Sequence, residues 1–135
     1  MVCIYCSGQT KVTNVRPQAR LRATWRRRQC LVCGAIFTSV EQADLSLSLS
    51  VIKRNGTLEP FQPDKLFVSI HNACQPQKDS AEAARALSNT IISKLLKDSA
   101  EATIPSSAIA KTAKTVLSRY KSTIGQRYWS YQLEK

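Results

Sequence analysis

The sequence C-L-V-C at residues 30–33 has the same spacing as C-I-Y-C at residues 3–6, and these two pairs decide the fold of the first third of the chain. Four thiolates in two such pairs can surround a Zn²⁺ ion tetrahedrally, as in structural zinc sites. Residues 7–29 between the pairs are numerous enough to form strands. The pattern therefore predicts a zinc ribbon with one structural Zn²⁺ ion. Its expected ligands are Cys3, Cys6, Cys30 and Cys33.

Three short runs rich in β-branched or aromatic residues predict the strands of this ribbon. They are Lys11–Arg16, Ala23–Gln29 and Ala35–Val40. These runs contain too few apolar residues for a core of their own, so we expect the metal to supply much of the folding free energy. The fifth cysteine, Cys74, lies in a distant apolar pattern and is predicted to be a core residue.

Every charged residue between the two cysteine pairs is a cation. These residues are Lys11, Arg16, Arg20, Arg22, Arg26, Arg27 and Arg28. In a strand, Arg26 and Arg28 would share one face while Arg27 points to the other. Together with Trp25, such a row suits contact with nucleic-acid phosphates. The alternative is that the arginines offset the negative charge of a zinc centre with four thiolates.

The whole chain is basic, with 20 Lys and Arg against 9 Asp and Glu and a net charge of +11. Residues 1–45 hold seven of these cations and only two of the anions. The charge favours an acidic partner such as nucleic acid, a nucleotide or anionic lipid, and a solvated basic surface is the alternative. No stretch approaches the roughly 20 apolar residues of a membrane span. Because Cys3 lies only two positions after Met1, we expect no secretion signal and a cytoplasmic location.

Catalysis is not expected. Four cysteine ligands leave no open position on the metal, which a catalytic zinc site needs. The only histidine, His71, belongs to a predicted helix elsewhere, and no nucleophile–base constellation is recognisable.

The second half begins with a predicted linker at 41–44 and an alternating apolar–polar run at 45–51, which predicts a strand. Asn55-Gly56 predicts a hairpin with a type I′ turn, and Thr57–Phe61 would be the returning strand. Four helices are predicted next, starting at Pro63, after a capping box of Asp79 and Glu82, near Ser106 and near Ser122. The apolar positions assigned to them are Leu66, Ile70, Ala73 and Cys74, then Ala84, Leu87, Ile91 and Leu95, then Ile109, Ala113, Val116 and Tyr120, and last Ile124, Tyr128, Trp129 and Tyr131.

Lys53 and Arg54 flank the hairpin turn, and Lys65 follows at the start of a predicted helix. Converging cations near a helix N-terminus favour anionic oxygens. No glycine-rich phosphate loop is present, so an exposed hairpin without a ligand is the alternative interpretation.

Residues 51–65, V-I-K-R-N-G-T-L-E-P-F-Q-P-D-K, resemble the opening of the ATP-cone, a regulatory nucleotide-binding domain. Residues 26–41, R-R-R-Q-C-L-V-C-G-A-I-F-T-S-V-E, resemble the zinc-ribbon half of a bacterial repressor family, and residues 127–131, R-Y-W-S-Y, its closing helix. In order, spacing and length the chain is similar to the bacterial transcriptional repressors of ribonucleotide reductase genes. It departs from the expected pattern at Val15, Ala35, Ile36, Asn55 and Tyr131.

This resemblance implies an α+β fold with two domains. Residues 1–44 would be a DNA-binding zinc ribbon of small antiparallel β structure, and residues 45–135 an ATP-cone made of a β-hairpin and a four-helix bundle. The implied DNA-contacting residues are Arg26, Arg27 and Arg28. The implied nucleotide-binding residues are Val51, Lys53, Arg54, Glu59 and Lys65, with the cations near phosphates and Glu59 toward the base or sugar.

The implied function is repression controlled by the balance of ATP and dATP. The protein would bind double-stranded operator DNA near the nucleoid, with nucleotides changing its homo-oligomeric state. Two alternatives remain open. A zinc ribbon of the transcription or translation machinery would explain the basic loop, and a nucleotide-sensing protein-interaction module would explain the cone.

Overall fold

The computed structural model describes residues 1–99 and 101–133. The chain divides into two compact units, Met1–Ala43 and Asp44–Lys135. The first unit is an antiparallel sheet and the second combines a small sheet with helices, which confirms the predicted α+β class.

The first unit contains three strands in the order β1-β2-β3. They are β1 (Thr10–Gln18), β2 (Ala23–Cys30) and β3 (Ile36–Gln42), with a 3-10 turn at Ala19–Leu21 between the first two. The predicted strands are present, but β3 continues into the predicted linker because Glu41 and Gln42 pair with Thr24 and Ala23. Its cluster of buried residues consists of Cys3, Cys30 and Phe37 with Ala35 packed against them, and Ala23 is buried outside this cluster.

The second unit starts with a helical turn, α1 (Leu45–Ser48), where the alternating pattern predicts a strand. That prediction is wrong because Asp44 caps the turn. Its carboxylate accepts a hydrogen bond from the Ser46 amide at 3.0 Å, and its carbonyl accepts one from the Ser48 hydroxyl at 2.7 Å. These local hydrogen bonds compete with strand pairing, and residues 45–48 form a helical turn instead of a strand. Only β4 (Ser50–Ile52) is extended.

Strand β4 forms the predicted hairpin with β5 (Leu58–Pro60), but the turn is not type I′. Gly56 has a φ of +85°, whereas Asn55 is not among the residues with positive φ. The Gly56 amide donates to the Lys53 carbonyl, and the Asn55 side chain accepts from the amide and hydroxyl of Thr57. Asn55 thus supports the turn through its side-chain oxygen and not through a left-handed backbone.

A third strand, β6 (Thr103–Pro105), pairs in parallel with the other side of β4, so the sheet order is β5-β4-β6. Sequence analysis did not find this strand. It is three residues long, and its pairing partner lies about 50 positions earlier in the chain, beyond the reach of local patterns.

The four predicted helices are confirmed. They are α2 (Pro63–Cys74), α3 (Ser80–Asp98), α4 (Ser106–Tyr120) and α5 (Ser122–Leu133). Within α4, Tyr120 is exposed, although it is predicted to face the core. Leu117 is buried in its place. In α5, Tyr131 is exposed as well. Across the described residues, none of the helices combines the length and apolar character of a membrane span.

The predicted capping box at the start of α3 does not form. Asp79 occupies the N-cap position, but its side chain makes no capping hydrogen bond. The first helical residue, Ser80, is buried, and its hydroxyl lies 3.2 Å from His71 Nε2. Elsewhere in the bundle, the Arg127 guanidinium donates to the carbonyls of Ala73 and Gln75, so it ties α5 to the C-terminal end of α2.

Helices α4 and α5 approach each other closely at Gly125. A substitution at this position therefore tests how tightly the bundle is packed. A Cβ atom added there would lie 2.8 Å from the backbone nitrogen and 2.9 Å from the Cα of Ser118. We expect Gly125→Ala to lower the free energy of unfolding by about 1–3 kcal/mol through overpacking. This is opposite to the gain of up to about 1 kcal/mol that alanine usually gives in a helix. Urea denaturation would measure it, with exposed Gln126→Ala as the control. A stabilised Gly125→Ala protein would contradict the close approach.

Candidate functional site

The four predicted zinc ligands converge at one end of the first unit. The sulfur atoms of Cys3, Cys6, Cys30 and Cys33 all lie within 4.8 Å of one another. The Sγ–Sγ distance is 3.8 Å for Cys3 and Cys33 and 3.4 Å for Cys6 and Cys30. Sulfurs about 2.3 Å from one Zn²⁺ ion in a tetrahedron would be about 3.8 Å apart. The cluster therefore fits a zinc ion in size and in ligand type.

Backbone amides surround this cluster and favour thiolates. Cys30 Sγ accepts hydrogen bonds from the amides of Cys33 and Val32, and the Cys33 amide is the main reason why the pKa of Cys30 falls to about 6. At Cys6, the Gly8 amide lowers the pKa, but the Cys30 thiol, partial desolvation and the other sulfurs raise it to about 11. Zinc binding requires all four thiolates, so binding would release the remaining protons.

The predicted arginine row is divided between the two faces of the sheet. On one face, Arg26 Nη1 lies 3.4 Å from Glu41 Oε2, and Arg28 Nε donates to Ser39 Oγ at 2.9 Å. Arg27 is exposed and belongs to the other face. The predicted alternation of these three residues is therefore present, but two of them already have partners on β3.

A concavity of about 420 Å³ lies on the face that contains Arg27. We call this surface the Trp25 face, and its residues are Asn14, Arg16, Trp25, Arg27 and Thr38. Sequence analysis did not single out Asn14 or Thr38 and counted Arg16 only among the cations of the loop, because the neighbours of these residues are set by pairing between strands. The signal that could have found them is the alternation within β1 and β3.

In the second unit, four of the five predicted nucleotide-binding residues line one concavity of about 190 Å³. These four are Val51, Lys53, Glu59 and Lys65. The fifth, Arg54, lines a neighbouring concavity of about 590 Å³, to which Lys53 and Glu59 also contribute. The hairpin and the start of α2 thus bring the predicted residues to two adjoining depressions.

Residues far along the chain complete these depressions, and sequence analysis missed them. They include Ser106, Ser107, Lys111, Trp129 and Gln132. Ser106 and Ser107 are the first two residues of α4, where unpaired backbone amides can bind anions. The sequence did contain a signal for this site. The predicted helix begins with two serines and has a lysine, Lys111, one turn later.

Lys53 has a partner within the site. Its Nζ lies 3.5 Å from Glu59 Oε2, and both side chains are nearly half exposed. An ion pair this exposed contributes little to stability because water screens it. A ligand phosphate could therefore replace Glu59 as the partner of Lys53 at small cost.

Comparison with known proteins matches both halves of the chain. A family model described as "Transcriptional repressor NrdR-like, N-terminal domain" matches residues 1–41. A second model, described as "ATP cone domain", matches residues 49–132. The zinc-ribbon match and the cysteine cluster together indicate a structural zinc, and the ATP-cone match implies nucleotide binding.

Several curated bacterial proteins are similar to this chain, and each is named transcriptional repressor NrdR. The one from Symbiobacterium thermophilum is 31% identical over 134 residues, which cover 99% of this chain and 88% of that protein. One from Thermus thermophilus is 41% identical over 91 residues, or 67% of this chain and 59% of that protein. One from Tropheryma whipplei is 43% identical over 76 residues, or 56% and 49%. The expected resemblance is confirmed, and a repressor's role is not enzymatic.

The cysteine cluster generates a test of the metal centre. We expect Cys30→Ala to lose zinc and to unfold the first unit, because the three remaining ligands and the small core cannot hold it. The second unit should still unfold cooperatively in urea. Metal analysis and circular dichroism would measure both effects. The matched control is Cys74→Ala, which removes a buried cysteine from the second unit and should keep its zinc. Full zinc content in Cys30→Ala would contradict the assignment.

Proposed function

The chain belongs to the family of NrdR transcriptional repressors, and we propose that it represses ribonucleotide reductase genes by binding their operator DNA under the control of ATP and dATP. The observation that carries this proposal is the presence of a zinc ribbon and an ATP-cone in one chain. Neither alternative interpretation gives both halves a role. A repressor must reach the chromosome, so we place its action in the bacterial cytoplasm at the nucleoid.

We propose residues 1–44 as the DNA-binding domain, with Cys3, Cys6, Cys30 and Cys33 as ligands of its zinc. The support is electrostatic: Glu41 is the only acidic residue before Asp44, while seven Lys and Arg lie between the cysteine pairs. Phosphates of duplex DNA attract such a surface whatever the base sequence. The sequence-based candidates for phosphate contact are Arg26, Arg27 and Arg28. Of these we propose Arg27, which is exposed, whereas Arg26 and Arg28 already pair with Glu41 and Ser39 of β3.

We propose residues 45–135 as the nucleotide-binding regulatory domain. The cations Lys53, Arg54 and Lys65 would contact the phosphates of ATP or dATP, and Val51 would pack against the ligand. Glu59, once released from Lys53, has free carboxylate oxygens that can accept hydrogen bonds from the base or sugar. The two adjoining depressions described above support this assignment.

Regulation requires that the two nucleotides favour different assemblies of the chain. A ligand shifts an equilibrium only by the difference between its affinities for the two states. We propose that the states are homo-oligomers that present zinc ribbons at different spacings. One spacing would fit paired operator sites and the other would not.

The function is tested by titrating the purified chain with duplex DNA from upstream of a ribonucleotide reductase gene. We expect its affinity to differ between saturating ATP and saturating dATP, while an unrelated duplex of equal length binds weakly in both. Fluorescence anisotropy would measure the affinities at one fixed salt concentration, because salt alone changes them strongly. Equal affinities for both duplexes in both nucleotides would contradict the proposal.

The nucleotide site is tested by Lys65→Ala. Loss of a charge-assisted contact costs about 1.5–3 kcal/mol, which is about a ten- to hundredfold weaker nucleotide affinity. Changes in assembly size and in operator affinity should shrink together, since one ligand drives both. Sedimentation and operator titration under identical conditions would measure them.

The control for this variant is Lys97→Ala, which removes the same charge from an exposed position on α3 outside both depressions. It should bind nucleotide like the unaltered chain. If Lys65→Ala lost nucleotide binding while operator affinity still responded to dATP, the sensor would lie elsewhere in the chain.

A further inference from the structure

We infer that the Trp25 face of the zinc ribbon is the surface that lies against the duplex, with Arg16 and Arg27 on phosphates and Trp25 between them. This inference rests on the proposed function and names residues for it that the family comparison does not. It also selects one of the two faces between which the arginine row is divided.

Strand register places these side chains together. Arg16 lies directly opposite Trp25 in the pairing of β1 with β2. Arg27 lies opposite Asn14 on β1 and opposite Thr38 on β3. Directly opposed residues share a face of the sheet, and Trp25 and Arg27 share it because they are two positions apart. Diagonal neighbours such as Arg16 and Arg27 are about 7–8 Å apart, so their guanidiniums can contact separate phosphate oxygens.

The opposite face is used by the ribbon itself. Phe37, which is buried with Cys3 and Cys30 beside the metal centre, pairs with Arg28 and therefore lies on that opposite face. Arg26 and Arg28 hold Glu41 and Ser39 of β3 there. We assign these two arginines to contacts between β2 and β3 within the sheet, of which the Arg28–Ser39 hydrogen bond is partly buried.

The Trp25 face has no such internal use. Among residues 1–99 and 101–133, neither Arg16 nor Arg27 makes a side-chain ion pair or hydrogen bond with another residue. Trp25 is 39% exposed, so much of its ring meets solvent in the free chain. Burying that surface against a deoxyribose or base edge is favourable, and no carboxylate lines this concavity to repel phosphate.

Asn14 and Thr38 add neutral hydrogen-bonding groups on either side of Arg27. Side chains of these types contact phosphate and base edges in protein–DNA complexes. An acidic peptide would also be attracted by the two arginines. The salt dependence described next distinguishes the two, because only a polyelectrolyte releases condensed counterions for each phosphate contacted.

The test compares four single substitutions that each remove one positive charge. The full-length zinc-loaded chain is titrated with a labelled duplex of mixed sequence, about 30 base pairs or three helical turns long. Titrations run from about 50 to 200 mM NaCl, and the slope of log K against log salt counts phosphate contacts. Each of Arg16→Ala and Arg27→Ala should reduce that slope by about 0.9 per duplex-bound ribbon. Arg26→Ala and Arg28→Ala are the matched controls and should leave it unchanged.

A second measurement keeps the arginines intact. Trp25→Phe retains an aromatic ring, and Trp129 is the only other tryptophan in the chain. The difference in acrylamide quenching between the unaltered chain and Trp25→Phe therefore reports on Trp25 alone. Added duplex should protect Trp25 from quenching. Trp25→Ala should weaken duplex binding several-fold without changing the salt slope, because it removes no charge, and Trp25→Phe should restore much of the affinity.

The outcomes separate this inference from the proposed function. The salt slope could fall equally in all four arginine variants, or only in Arg26→Ala and Arg28→Ala. Either result would contradict the assignment of the Trp25 face to the duplex and would leave DNA binding by the ribbon intact. Unchanged quenching of Trp25 in a saturated complex would overturn it as well. If the unaltered chain bound no duplex at low salt with either nucleotide, the proposed function would fall and this face with it.

Discussion

The convergence of four cysteine sulfurs on one point is the constraint on which the first unit depends. Its buried apolar residues are Cys3, Ala23, Cys30 and Phe37, and two of these four belong to the quartet. Apolar burial on that scale cannot offset the conformational entropy of ordering some 40 residues, which costs about 1–2 kcal/mol for each backbone unit. Metal coordination supplies the difference, and it leaves the sheet surface free to be basic and exposed.

The second unit is stabilised in the ordinary way, by an apolar core that includes Ile70, Ile91 and Leu117. That core brings together segments that are far apart in sequence. The hairpin, the start of α2 and the start of α4 all meet beside Lys53 and Glu59, where each contributes a polar or charged group. A rigid bundle thereby positions a charged depression that none of these segments could form alone.

Features that depend on residues close together in the sequence, and that favour a single local structure, could be predicted. The cysteine spacing predicted the cysteine cluster, and the 3.6-residue periodicity predicted the four helices α2 to α5. The failures share a cause, which is competition between local signals or pairing at long range. Asp44 diverted an alternating run into a helical turn, and β6 exists only because β4 pairs with it. The pairing of Arg26 and Arg28 with β3 likewise depends on strand register, which a single sequence does not display.

Strand β4 has a neighbour on each side, β5 antiparallel and β6 parallel, although it is only three residues long. Its backbone groups are therefore engaged on both edges, and Val51 is buried at its centre. Amides in such a position exchange with solvent only when the surrounding structure opens. Lys53 and Arg54 thus directly follow the strand whose backbone is hydrogen-bonded on both sides. A ligand arriving there meets a surface already in place and loses little of its affinity to ordering the chain.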